Sequence, residues 1–156
     1  MSRRIKPEKR EVLPDVRYNN THIQMMINRI MLNGKKSTVT SLVYDALDLI
    51  AAKTGKESVE VFEQALKNVS PVMEVRPRRV GGATYQVPME VAPDRRVTLA
   101  MRWIISASRA RSGKSYSEKL AGELMDAAEN QGASIRRKEE THKMAEANRA
   151  FSHFRM

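Results

Sequence analysis

The sequence predicts a mainly α fold: a six-helix body with a two-stranded β-ribbon protruding between the third and fourth helices. Three observations carry this. Apolar residues recur at helical spacing from Asn19 almost to the C-terminus. Around Gly81-Gly82 the period changes to two. Helix-start and helix-stop residues fall where one pattern gives way to the next. Residues 19–156 therefore read as a single helical domain with a ribbon at about 72–91, preceded by a basic N-terminal arm at 1–18.

The arm has no period. It carries Arg3, Arg4, Lys6, Lys9 and Arg10 against Glu8, and Pro7 and Pro14 exclude a helix through it. Taken alone it reads as a solvated tail. The first helix shows Ile23, Met26, Ile27, Ile30 and Met31 on one face, with Gly34 as its stop. After the turn N-G-K-K-S, Val39, Leu42, Val43, Ala46, Leu47 and Ile50 form a second face that Gly55 interrupts. Phe62, Ala65, Leu66 and Val69 make a third, closed by Pro71.

The ribbon follows. Met73 and Val75 alternate with Glu74 and Arg76. Tyr85, Val87, Met89 and Val91 alternate with Thr84, Gln86, Pro88 and Glu90. Pro77 and Pro88 lack a ladder donor, so neither strand belongs inside a wide sheet. Such a ribbon is marginal alone and needs a partner. Pro93-Asp94 opens the fourth helix, with Val97, Ala100, Met101, Ile104 and Ala107 facing the core. The fifth has a capping-box pattern at Ser115 and Glu118, the apolar line Leu120, Leu124, Ala127 and Ala128, and Gly132 at its end. Its charged residues are mostly acids: Glu118, Glu123, Asp126 and Glu129. The sixth, from about Ser134, has little to bury and reads as the edge of the bundle. The tail F-S-H-F-R-M has no predicted form.

Charge says most about partners. The 156 residues carry a formal net charge of +10, which favours nucleic acid first and an anionic membrane second. Between Val72 and Arg111 all eight basic residues are arginine, against three acids. Arginine pairs two-pronged with phosphate and stacks on bases. Arg95, Arg102 and Arg109 stand seven apart, nearly superposed on a helix, with Thr98 and Ser106 in the same stripe. An ordinary solvated face would intersperse acids, and none occurs between Arg95 and Arg111. Arg76, Arg78 and Arg79 flank the Gly81-Gly82 turn. For the glycines alone a plain hairpin turn suffices; the arginines tip the reading towards nucleic acid. Lys35 and Lys36 read as a solvated loop. Arg136, Arg137 and Lys138 are as compatible with a tolerated surface cluster as with a contact.

Other chemistries find little support. Cysteine is absent, and His22, His142 and His153 stand in no ligand spacing. His142 reads as exposed. No apolar run approaches the roughly twenty residues that span a membrane. The G-K-S at 113–115 has Ser108 where a phosphate loop needs glycine, and a helix where it needs a strand. No nucleophile is paired with a base, so no enzyme, cofactor or metal is expected. Trp103 and the methionines fit core filling. A helical DNA-binding protein and an RNA-modifying enzyme are the rivals; the first should show two-fold half-site geometry, the second a cofactor loop or acid/base pair.

The segment N-V-S-P-V-M-E-V-R-P-R-R-V-G-G-A-T-Y-Q-V-P-M-E-V at 68–91 resembles the small-subunit ribosomal protein seven family. So do the opening M-S-R-R, the turn N-G-K-K-S at 33–37 and R-W-I-I-S-A-S-R-A-R at 102–111. The resemblance runs along the whole chain, and the length and ending are similar to the bacterial or plastid type. It implies six helices with a β-ribbon. It further implies a non-enzymatic primary rRNA binder that nucleates the head, or 3′ major, domain of the small subunit, in the cytoplasm or a plastid stroma. The rRNA-facing residues it implies are Arg3, Arg4, Lys9, Arg10, Lys35, Lys36, Arg76, Arg78, Arg79, Arg95, Arg102 and Arg109. It puts Gly81, Gly82 and Tyr85 near exit-site tRNA and the mRNA exit, and the last helix near the small-subunit ribosomal protein eleven family. No membrane partner and no stable homo-oligomer is expected.

Overall fold

The computed structural model describes residues 10–154, and the element order is the expected one. Six α-helices are present, α1 (Thr21–Ile30), α2 (Lys36–Thr54), α3 (Ser58–Val69), α4 (Pro93–Ala110), α5 (Tyr116–Ala128) and α6 (Ala133–Ala147). The antiparallel strands β1 (Met73–Val80) and β2 (Ala83–Glu90) lie between α3 and α4. A 3₁₀ segment, Arg149–Phe154, closes the described chain.

The body forms around α5, which packs against α2, α3 and α4. Ile23, Met26 and Ile27 of α1, Leu47 and Ile50 of α2, Phe62 of α3, Met101 and Ile104 of α4 and Leu120 and Leu124 of α5 are buried in one core. Burying each of these larger side chains contributes about 1.5–3 kcal/mol. Trp103 packs against the edge of this core, as expected.

Local chemistry sets the helix ends. Asn20 caps α1: its Oδ1 accepts from the N–H groups of His22 (2.7 Å) and Ile23 (3.1 Å). α1 stops at Ile30, short of Gly34: Met31 already leaves the helical region at ψ 131°. Ser115 caps α5 through the N–H of Glu118. The return bond of the expected box is displaced by one residue: Glu118 accepts from the N–H of Lys114 at 3.3 Å.

Gly132 begins α6 rather than ending α5, which stops at Ala128. A Cβ at Gly132 would lie 2.9 Å from Glu123 Oε1, and its φ is +95°. Glu123 itself is buried, only 2% exposed. Its carboxylate accepts from the Ser134 N–H (2.9 Å), the Ser134 hydroxyl (2.7 Å) and Arg111 Nη1 (3.1 Å). Arg111 also pairs with Asp126 at 2.6 Å. A buried carboxylate is tolerated because these donors replace its hydration.

The ribbon turn is the two-residue Gly81-Gly82, with φ of 57° and 91°, as a type I′ hairpin demands. Register runs from Met73↔Glu90 to Val80↔Ala83. The ribbon finds its partner within the chain. α6 packs on β1, and the 3₁₀ segment packs on β2. Tyr85 and Phe151 meet with ring centroids 5.2 Å apart. The polar sixth helix therefore joins body and ribbon instead of lying at an edge. His142 joins them too, and is not exposed as expected: half-buried, its Nε2 accepts the Val72 N–H at 3.1 Å. Met144 and Ala147 are exposed.

The last residues of the arm segment are docked. The buried Asp15 accepts from the N–H groups of Arg17 and Tyr18 and from the Tyr44 hydroxyl at 2.7 Å. Arg17 pairs with Asp48 of α2 at 2.7 Å.

Candidate nucleic-acid interface

The helical stripe on α4 resolves into two environments. At its far end, Arg102, Ser106 and Arg109 face α1 across an open groove of about 360 Å³, which Arg29 and Ile105 also line. Among the described residues no carboxylate lines this groove. Arg29 Nη2 donates to Thr98 Oγ1 at 3.0 Å, and Arg109 Nη2 donates to the Ile30 carbonyl at 3.3 Å, beside the C-terminus of α1. Partial burial, and then the positive charge of Arg102, both disfavour the charged form of Arg29. Like charges held together without an acid leave the folded chain an unfilled demand for an anion.

At its near end the stripe is already paired. Arg95 Nη2 lies 2.9 Å from Glu74 Oε2, and Arg76 Nε lies 2.6 Å from Glu74 Oε1. Glu74 is only 7% exposed at the ribbon base. Burial pushes its carboxyl up, but hydrogen bonds from Arg95 and Arg76 outweigh that and hold it below the usual carboxylate range. The absence of acids between Arg95 and Arg111 is thus offset from elsewhere, by Glu74 for Arg95 and by Glu123 and Asp126 for Arg111. Arg95 and Arg76 remain about half exposed, so each still presents donors outward.

The other expected residues surround this centre. Lys35 and Lys36 are exposed where α2 begins, and no acid stands in that first turn. Two cations there add to the positive end of a nineteen-residue helix dipole. Lys36 and Arg10 line one hollow with Gln24 and Asn28. Arg78 and Arg79 are exposed on the outer part of β1, opposite Tyr85 and Thr84. Gly81 and Gly82 are exposed at the tip, whereas Tyr85 is half-buried against Phe151. Arg3, Arg4 and Lys9 lie outside the described residues.

The cluster Arg136, Arg137 and Lys138 divides. Lys138 Nζ donates to the Asn68 carbonyl at 2.7 Å, near the C-terminus of α3, and Arg137 pairs with Glu140. Arg29 is the basic residue that sequence reasoning missed. It falls on the polar side of α1, and only the packing of α1 beside α4 brings it to Arg102. Among the described residues no His/Cys/Asp/Glu group could hold a metal ion, and no helix is long and apolar enough to cross a membrane.

Comparison with known proteins identifies the family. The family model described as "Ribosomal protein S7p/S5e" matches residues 2–149. A small ribosomal subunit protein uS7 from a Thermoanaerobacter species is 58% identical over 155 residues, covering 99% of both chains. That of Caldanaerobacter subterraneus is 60% identical over 147 residues, 94% of each, and that of Streptococcus uberis 57% over 155 residues, 99% of each. The chain belongs to the S7p/S5e family of ribosomal proteins, a structural and not an enzymatic family.

Proposed function

We propose that this chain is a structural constituent of the small ribosomal subunit that binds the 3′ major domain of its rRNA early and nucleates assembly of the head. The observation that carries the reading is the acid-free groove of Arg29, Arg102 and Arg109. Basic side chains fixed on packed helices neutralise phosphates and release counterions at small ordering cost. Folded rRNA is then recognised through backbone and 2′-OH positions. Arg10, Lys35, Lys36, Arg78 and Arg79 extend the contact, Arg76 and Arg95 contribute from the ribbon base, and Arg3, Arg4 and Lys9 continue it along the arm. The ribbon tip, Gly81 and Gly82 with nearby Tyr85, lies by exit-site tRNA and the mRNA exit. α6 and the tail approach the ribosomal protein eleven family. The protein works in cytoplasmic ribosomes, without cofactor or stable homo-oligomer.

The test is affinity for a 3′ major-domain rRNA transcript against duplex DNA at one stated salt concentration, then across salt. A strong preference for the transcript, with log K falling linearly in log salt, is expected. Equal affinity for duplex DNA would favour a DNA-binding protein instead.

A further inference from the structure

The turn between α1 and α2 holds a chemically labile pair. Of the chain's asparagines, Asn33 alone precedes a glycine. Asn33, Gly34 and Lys35 are exposed, and a Cβ at Gly34 would meet no atom within 4 Å. Among the described residues, neither the Asn33 carboxamide nor the Gly34 N–H makes a hydrogen bond. Other asparagines are engaged: Asn20 Oδ1 caps α1, Asn68 Nδ2 donates to the Ala127 and Ala128 carbonyls, and Asn148 Nδ2 donates to the Met144 carbonyl. Asn33 and Gly34 take left-handed conformations at φ 52° and 73°, spanned by the Lys35 N–H donating to the Leu32 carbonyl at 3.1 Å. Lys35 and Lys36 follow the pair directly, with the positive end of α2.

We propose that Asn33 is a self-modifying site, at which the free chain deamidates to aspartate and isoaspartate and so lowers the positive charge of the α1–α2 turn. Local opening of the Lys35–Leu32 bond frees the backbone to rotate. The Gly34 nitrogen attacks Asn33 Cγ. The new N–Cγ bond closes a five-membered imide, the Cγ–Nδ2 bond breaks, and the Gly34 proton passes through water to the departing nitrogen, which leaves as ammonia. Water then opens the ring at either carbonyl. Opening at Cγ gives aspartate with an ordinary backbone; opening at the Asn33 backbone carbonyl gives isoaspartate, with the chain routed through Cγ. The net change is hydrolysis of one carboxamide to a carboxylate. Glycine favours the attack because no side chain crowds its nitrogen. The cations that follow favour it too, since they stabilise the nitrogen as it loses its proton and the oxyanion formed at Cγ. The consequence for binding rests on the rRNA reading above: the new carboxylate stands beside Lys35 and Lys36 and opposes their attraction for phosphate.

The experiment ages the free full-length protein for days in mildly alkaline buffer and follows intact mass, proteolytic peptides and enzymatic methylation of isoaspartate. A mass gain of about one dalton is expected, with isoaspartate confined to the peptide that spans 33–34. Asn33→Gln should abolish it, because the longer side chain must close a less favourable six-membered ring. Asn33 is exposed, so unchanged thermal melting of the fresh variant serves as the folding control. Isoaspartate absent at 33, or accumulating equally at Asn130 or Asn148, overturns the proposal. Asn33→Asp then reads the consequence: its affinity for the 3′ major-domain transcript is expected about threefold below wild type, with aged wild type in between. Equal affinity of Asn33→Asp and fresh wild type overturns the consequence for binding. Failure of fresh wild type to bind the transcript at any salt overturns the rRNA reading, while isoaspartate at 33 would still establish the modification.

Discussion

Arg95 on α4 donates from Nε and Nη2 to the carboxylate of Glu74 on β1, twenty-one residues earlier, at 2.9–3.0 Å. This contact ties the protruding ribbon to the body at its base, with Arg76 as a second donor. Replacing Glu74 by Ala removes a buried acceptor and leaves two half-exposed guanidiniums facing each other. After allowing for solvent screening of the arginines, the expected cost is about 1–2 kcal/mol in urea unfolding. A double-mutant cycle with Arg95→Ala should return a coupling of about 0.5 kcal/mol or more. Strict additivity would mean that the pair does not anchor the ribbon.

Arg29→Ala separates binding from stability. The side chain adds repulsion towards Arg102 and gives one exposed hydrogen bond to Thr98 in return. Folding stability should change by no more than about 0.5 kcal/mol, and an increase would be unsurprising. Transcript affinity should fall markedly, with the salt slope shrinking by about 0.7–0.9. A variant with unaltered slope and affinity would place this groove away from phosphate.

His142 should make the ribbon junction sensitive to acid. Its Nε2 accepts the Val72 N–H, which requires a neutral ring. Burial, and then the charge of Lys138, hold its pKa below the ordinary 6.5. Glu146 and Arg149 line the same cleft with opposite charges. With the folded pKa depressed, the unfolded chain binds more protons than the folded one as pH falls below 6.5. This contribution is therefore present above 6.5 and lost as pH falls through the folded value. Melting temperatures from about pH 8 to about pH 5 should decline more in wild type than in His142→Gln. Parallel pH profiles would falsify the assignment.

Replacing Val80–Ala83 by a two-residue Asn-Gly turn, which keeps Arg79 opposite Thr84, should spare rRNA binding and change exit-site events. The tip carries no arginine, and Arg76, Arg78 and Arg79 stay behind on β1. Tyr85 remains to pack against Phe151, so the tail keeps its hold on the ribbon. Reconstituted subunits are expected to assemble normally but release exit-site tRNA faster. Failed assembly with normal tRNA retention would show that the two ends of the ribbon have exchanged roles.

By itself the sequence determined the helices, the hairpin and the net cationic character. Each of these depends on local relations: apolar residues three and four apart, a Gly-Gly dipeptide between alternating runs, a serine three residues before a glutamate. The 68–91 segment also sufficed to identify the family. Tertiary structure alone decided which arginines remain without acids. Arg95 meets Glu74, and Arg111 meets Glu123 and Asp126, whereas Arg29 joins Arg102 from another helix. It also decided that polar α6 and the tail would brace the ribbon, through His142 and Phe151. A helical wheel records only which side of its own helix a residue occupies. Which charge stands opposite depends on how separate elements pack, and that packing is driven by burial of the shared apolar core, which carries no information about charge.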